Sequence, residues 1–140
     1  MGVSTAKARW NGELKSGNGL MSFTGYEGPF TFASRFEDGS ETNPEELVGA
    51  ANAGCFSMFL SALLGGEKIV PTSIETTANV TLGTVDGGPK ITGIELNCEA
   101  NIPGISDADF QKIAKSAKEK CPISQLLAGT DITLNAKLVS

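Results

Sequence analysis

The chain has no histidine. That absence removes Ser-His-Asp and Cys-His catalytic arrangements and most catalytic zinc sites, which use imidazole as base or ligand. Cysteine is scarce: Cys55, Cys98 and Cys121 are the 3, and no CxxC pair occurs, so a structural zinc site lacks its ligand set. An odd count argues against a secreted disulfide framework and for a reducing compartment where thiols act chemically. Positive charge is also short, with 11 Lys and Arg against 16 Asp and Glu and a net charge of −5. A nucleic-acid partner is not expected, because counterion release needs a basic surface. Near the start, Lys7 and Arg9 are followed by Trp10-Asn11-Gly12-Glu13 and not by an apolar run, so no signal peptide is visible. Ala6 stands where a myristoylation signal starting at Gly2 needs Ser or Thr. The expectation is a cytoplasmic protein.

What is present suits a soluble globular fold: 40% hydrophobic and 19% charged residues over 140 positions, read as a single domain spanning 1–140. The sequence has one long apolar run, 47–64, which carries no charge. Just before it, Asn43 suits an N-cap, Pro44 suits the first helical position, and Glu46 completes a capping box. Glu45 and Glu46 also face the positive end of the helix dipole, and Gly65-Gly66 supplies a stop. The pattern predicts a helix over 44–64. The run reaches the lower length limit of a membrane span. However, Asn52, Ser57, Ser61, several small residues and the lack of basic flanks favour a core helix, and no membrane partner is expected. A helix apolar on nearly all sides must be wrapped by sheet or by another subunit. Gly49, Ala50, Ala53 and Gly54 permit close approach of a second helix, so a homodimer with two copies of 44–64 packed together is predicted.

Short alternating segments flank this helix. Residues 6–14, 20–23 and 29–36 read as a three-stranded antiparallel meander, the last through Phe30, Phe32, Ser34 and Phe36. Residues 73–82 and 90–102 read as a hairpin turning at Asp86-Gly87-Gly88-Pro89. Ser106-Asp107-Ala108-Asp109 starts a second helix with the stripe Phe110, Ile113, Ala114 and Ala117. Cys121-Pro122 starts a short third helix through Leu127, and 131–138 closes the chain as a strand. The fold class is α+β: antiparallel sheets around a long buried central helix.

The cysteines differ in their local settings. Cys98 shares a strand face with Ile94, Leu96 and Ala100, where a thiol behaves as a small hydrophobe. Cys121 stands at a helix start beside Lys118 and Lys120, and both features favour thiolate. Cys55 lies among apolar neighbours that raise a thiol pKa. On local sequence Cys121 is the better nucleophile. A thiolate at Cys55 requires a cation brought from elsewhere, so an arginine should reach it.

Three longer stretches carry a family resemblance: Arg35-Phe36-Glu37-Asp38-Gly39, Thr42-Asn43-Pro44-Glu45-Glu46-Leu47-Val48-Gly49-Ala50-Ala51, and Ala53-Gly54-Cys55-Phe56-Ser57-Met58. With Pro71-Thr72-Ser73-Ile74, Val80, Pro103-Gly104-Ile105 and Cys121-Pro122-Ile123-Ser124-Gln125, the chain resembles the OsmC proteins of the OsmC/Ohr family of bacterial thiol peroxidases. The likeness runs through essentially the whole chain. The Arg-Phe-Glu context before the helix favours the OsmC branch.

The resemblance implies a peroxidase acting on organic hydroperoxides and less well on hydrogen peroxide. It also implies an intertwined α+β homodimer with the two long helices back to back and an active site at each subunit interface. It assigns Cys55 as attacking cysteine, Cys121 as resolving cysteine, and Arg35 and Glu45 as their supporting pair. No metal or other cofactor is implied, and the reductant is a dihydrolipoyl-type dithiol. Asn52, Gly54 and the extra Cys98 depart from the expected pattern without removing a catalytic group. The chemistry is consistent: peroxide cleavage needs a thiolate and a cation that holds it ionised and stabilises the leaving alkoxide. Phe56, Met58 and the phenylalanines of 29–36 are expected to give an apolar surround. Along one helix Glu45 and Cys55 are roughly 15 Å apart, so Glu45 is expected to hold Arg35, or to serve the other subunit, and not to touch the sulfur. An apolar small-molecule-binding dimer and a redox-sensing interaction protein are the competing functions.

Overall fold

The computed structural model describes residues 2–139. In chain order it contains β1 (Lys7–Asn11), β2 (Asn18–Phe23), β3 (Tyr26–Phe30), α1 (Phe32–Phe36), α2 (Pro44–Gly66), β4 (Ser73–Val85), β5 (Gly88–Asn101), α3 (Asp107–Lys120), α4 (Pro122–Leu126) and β6 (Ile132–Val139). The chain divides into two units, one ending at Leu47 and one beginning at Val48.

The first unit is the expected antiparallel meander β1-β2-β3, followed by a helix the alternation did not predict. The expected strand over 29–36 is corrected: it stops at Phe30, and α1 begins two residues later. A reciprocal capping box forces the change. The Ser34 N–H donates to Thr31 Oγ1 at 3.1 Å, and the Thr31 N–H donates to Ser34 Oγ at 2.9 Å. Phe32 and Phe36 then stand one helical turn apart, with ring centroids at 5.0 Å. A spacing of four satisfies a period of two as well as a helical turn, which is why the alternation misled. The start of α2 is fixed to α1 by Asn43, whose Nδ2 donates to Ser34 O at 2.9 Å. Asn43 Oδ1 also caps α2 by accepting from the Glu46 N–H at 2.8 Å. The Glu46 carboxylate accepts from Thr42 Oγ1 at 2.7 Å in place of closing the expected capping box.

In the second unit, β4 and β5 form the predicted long hairpin, in antiparallel register with Ala78 opposite Leu96 and Thr76 opposite Cys98. Asp86 and Gly87 take positive φ of 52° and 79°, as a two-residue hairpin turn with matching twist requires. The expectation of antiparallel pairing throughout is corrected at β6, which joins β5 in parallel. Parallel neighbours need a long crossover, and α3 with α4 provide it. The sheet's apolar face, with Ile94, Leu96, Cys98 and Ala100 buried, packs in one core with Phe56, Leu60 and Leu64 of α2 and Phe110, Ala114 and Ala117 of α3.

The central helix is buried on one stripe, not all round. Asn52, Phe56, Leu60 and Leu64, at intervals of four, are fully buried. On another side Ala50, Ala51, Gly54 and Ala62 are exposed, and Met58 is 79% exposed. The small residues serve two purposes. Gly49 is buried, and a Cβ there would lie 3.1 Å from Val80 Cγ2, so it admits the sheet and not a second helix. Gly54 has open space at that position. The helix stop also differs from expectation, because the left-handed residue after α2 is Lys68, with φ of 60°.

Candidate active site

α2 and α4 bring two of the three cysteines together. Cys55 and Cys121 are 66 residues apart in sequence and form a disulfide across a Cα–Cα distance of 6.1 Å. Cys55 is half-buried beside the buried stripe of α2, whereas Cys121 is fully buried. Pro122 accounts for the placement of Cys121. The residue before proline is driven out of the helical region, and Cys121 has ψ of 127°. It therefore ends α3, its N–H donating to Ala117 O at 3.0 Å, and precedes the first turn of α4. This placement disfavours an activated Cys121. The carbonyl end of the fourteen-residue α3 opposes the amide end of the five-residue α4, and no peroxide reaches a sulfur without exposed surface.

Arg35 and Glu45 pair within the first unit. The guanidinium donates to one carboxylate oxygen, Oε1, from Nε at 3.0 Å and from Nη2 at 2.8 Å. This is not a two-oxygen fork. Glu45 Oε2 is buried and accepts no hydrogen bond among the described residues. The Arg35 side chain keeps 39% of its surface exposed, against 8% for Glu45, so the acid is the fixed member of the pair. Arg35 also lies over the Phe36 ring, at 5.4 Å from its centroid. Beside it Trp10, Leu14, Phe30, Phe32 and Phe36 line a cavity of about 260 Å³. Trp10 and Leu14 were not expected there, since the sequence only placed them in the strand read over 6–14. Of the residues expected to make the apolar surround, Phe56 is corrected: it is fully buried in the core of the second unit.

Cys98 sits on the core face of β5, as expected. Burial pushes its thiol above the ordinary value, and the neighbouring Glu99 charge adds to the rise, while a hydrogen bond with Thr76 opposes it. A raised pKa keeps the thiol protonated in the folded state. Its contribution to stability is full below the unfolded-state pKa and is lost as pH rises through the folded-state value. In reduced native protein, iodoacetamide should leave Cys98 unlabelled until pH is well above the ordinary thiol value of about 8.5. Peptide mapping across a pH series checks this, and labelling of Cys98 near neutrality would contradict it.

A half-exposed cysteine on a core helix, bonded to a buried cysteine at the junction of two further helices, makes this α+β chain a dithiol–disulfide redox protein. The chain belongs to the OsmC family: the model for OsmC-like proteins matches residues 37–136. Peroxiredoxin OsmC of Escherichia coli (strain K12) is 47% identical over 137 residues, covering 96% of this chain and 95% of that protein. An organic hydroperoxide resistance protein of Xanthomonas axonopodis pv. citri is 32% identical, covering 69% of this chain and 67% of its own length. Among solved structures, an OsmC-like protein from Mycoplasma pneumoniae superposes with a TM-score of 0.79 over 99% of both chains at 16% identity, a likeness of fold.

Proposed function

We propose that this protein is a cysteine-based peroxidase that reduces organic hydroperoxides, and hydrogen peroxide less well, to alcohols. The observation that carries the reading is the pairing of Cys55 with Cys121 in a chain whose relatives are named for peroxiredoxin and organic hydroperoxide resistance functions. The Cys55 thiolate attacks one peroxide oxygen. The O–O bond breaks, the alkoxide leaves and takes a proton, and Cys55 becomes a sulfenic acid. The Cys121 thiol then attacks that sulfur, water leaves, and the disulfide forms. A dihydrolipoyl-type dithiol restores both thiols by exchange and is itself oxidised. The half-buried position of Cys55 and the full burial of Cys121 support these roles, attacking and resolving respectively.

Arg35, held by Glu45, supplies the cation for the thiolate and the leaving oxygen. Its remaining N–H groups are left to donate, because Glu45 takes only Nε and Nη2. The aromatic cavity beside Arg35 suits the organic group of a bulky peroxide.

The working form in this reading is a homodimer. The exposed stripe of Ala50, Ala51, Gly54, Met58 and Ala62 on α2 is what a second copy of α2 would cover, and the β1-β2-β3 sheet has an apolar side to lay on a partner. The length and hydropathy of α2 satisfy a membrane span, but its Phe56, Leu60 and Leu64 are committed to the protein core, which supports a soluble protein, placed in this reading in the cytoplasm. Residues 1–140 act as one OsmC-like domain, since the family match and the Escherichia coli relative both run across the junction at Leu47 and Val48.

Steady-state turnover tests the function. Cumene hydroperoxide with dihydrolipoamide should give sustained alcohol production, faster than with hydrogen peroxide and faster than with a monothiol reductant. A protein that binds cumene hydroperoxide but produces no alcohol over minutes would instead be a binding module.

A further inference from the structure

We propose that Asn52 and Ser124 form a noncovalent latch that keeps Cys121 beside Cys55 while the disulfide is open. Asn52 is therefore a positioning residue for the second step of the cycle. The inference rests on the peroxidase reading above.

Asn52 is fully buried on α2, one turn before Cys55, and Ser124 is 8% exposed on α4, one turn after Cys121. Asn52 Nδ2 donates to Ser124 Oγ at 3.2 Å across 72 residues of sequence. Two links thus join α2 to the α3–α4 segment: the covalent one from Cys55 to Cys121 at its junction, and a hydrogen bond from Asn52 to Ser124, each one turn from a cysteine. Only the covalent link breaks during catalysis.

α4 needs such a tie. It has five residues, no side-chain N-cap bond, and an exposed Leu126. A helix that short does not hold itself together in water. Apart from Ser124, its end is anchored to the core through the partly buried Leu127. Condensation of the sulfenic acid with a thiol is an intramolecular step, so its rate follows the fraction of time the second sulfur stands in attacking geometry.

The unsatisfied half of the amide points the same way. Asn52 Oδ1 is buried and accepts no hydrogen bond among the described residues when the disulfide is closed. A buried amide normally fills that position. Opening the disulfide creates S–H and S–OH donors about one turn away, on α2 and at the start of α4. An amide serving packing alone would gain nothing from being placed there, and an apolar side chain would cost less.

The test is rapid mixing of reduced protein with one equivalent of cumene hydroperoxide, quenched into dimedone to trap sulfenic acid and read by mass spectrometry. Wild type, Asn52→Leu, Ser124→Ala and the hydroxyl-retaining Ser124→Thr are compared. In Asn52→Leu and Ser124→Ala, loss of the peroxide should keep its wild-type rate, while disulfide closure slows by about tenfold. Trapped sulfenic acid and Cys55 sulfinic acid should rise together, and Ser124→Thr should restore closure. If Asn52→Leu does not fold, the Ser124 pair decides the outcome. Closure at the wild-type rate in Ser124→Ala would overturn the latch. If wild type forms no disulfide with peroxide, the peroxidase reading itself fails, and that result is distinct from failure of the latch.

Discussion

A Cys121→Ser variant is expected to consume its first equivalent of cumene hydroperoxide at the wild-type rate and then to stall. In the proposed mechanism Cys121 takes no part in O–O cleavage, so the first step should survive. Its part is to meet the sulfenic acid at an effective concentration of about millimolar or more, against micromolar for an external dithiol. Steady-state turnover at micromolar dihydrolipoamide should therefore fall by roughly 10²–10³-fold. The stranded sulfenic acid should climb the oxidation ladder, so Cys55 sulfinic acid accumulates under excess peroxide. Full turnover in this variant at micromolar dithiol would show that an external thiol, and not Cys121, resolves the intermediate.

Arg35→Leu is expected to slow the first step itself, by about 10²–10³-fold, the usual loss when one charge-stabilising donor is removed from an active site. Without the cation, no other group of the proposed site favours the thiolate over the thiol at Cys55. The loss should therefore shrink as pH increases and the thiolate forms unaided. Glu45→Gln should give a smaller loss of the same kind, because Glu45 acts through Arg35: both its contacts with the guanidinium converge on Oε1. Stopped-flow oxidation across pH separates these outcomes. A wild-type rate in Arg35→Leu at neutral pH would remove Arg35 from the site.

Much of the fold was legible because its signals are local. The cap at Asn43, the apolar run of α2, the Asp86-Gly87 turn and the Ser106 cap each lie within a few residues of what they determine. What was not legible depends on partners distant in sequence or on symmetric patterns. Alternation has no direction, so it could not show that β6 runs parallel to β5. The four-residue spacing of Phe32 and Phe36 fits strand and helix alike, and only the Thr31–Ser34 box decides between them. Within an apolar helix every position looks like core. Phe56 therefore looked as eligible for the site as Met58, although one is fully buried and the other 79% exposed.

Of the candidate site, the structure shows two pairings among the expected residues, Cys55 with Cys121 and Arg35 with Glu45. Family likeness supplied Cys55, Cys121, Arg35 and Glu45, and the requirement for a cation at Cys55 followed from chemistry. The single-oxygen contact between Arg35 and Glu45, the burial of Cys121 and the Asn52–Ser124 bond all depend on how the chain returns on itself. Local sequence favoured Cys121 as nucleophile because Lys118, Lys120 and a helix start are adjacent. It could not register that the same cysteine also ends α3 and is wholly enclosed.

The most direct measurement is the intact mass and peptide map of the fully reduced protein after one equivalent of cumene hydroperoxide in the absence of reductant. The expected result is loss of two thiols, one Cys55–Cys121 cross-linked peptide, an untouched Cys98, one equivalent of cumyl alcohol, and no reaction in Cys55→Ser. Persistence of all three thiols, or the same alcohol yield from Cys55→Ser, would contradict it.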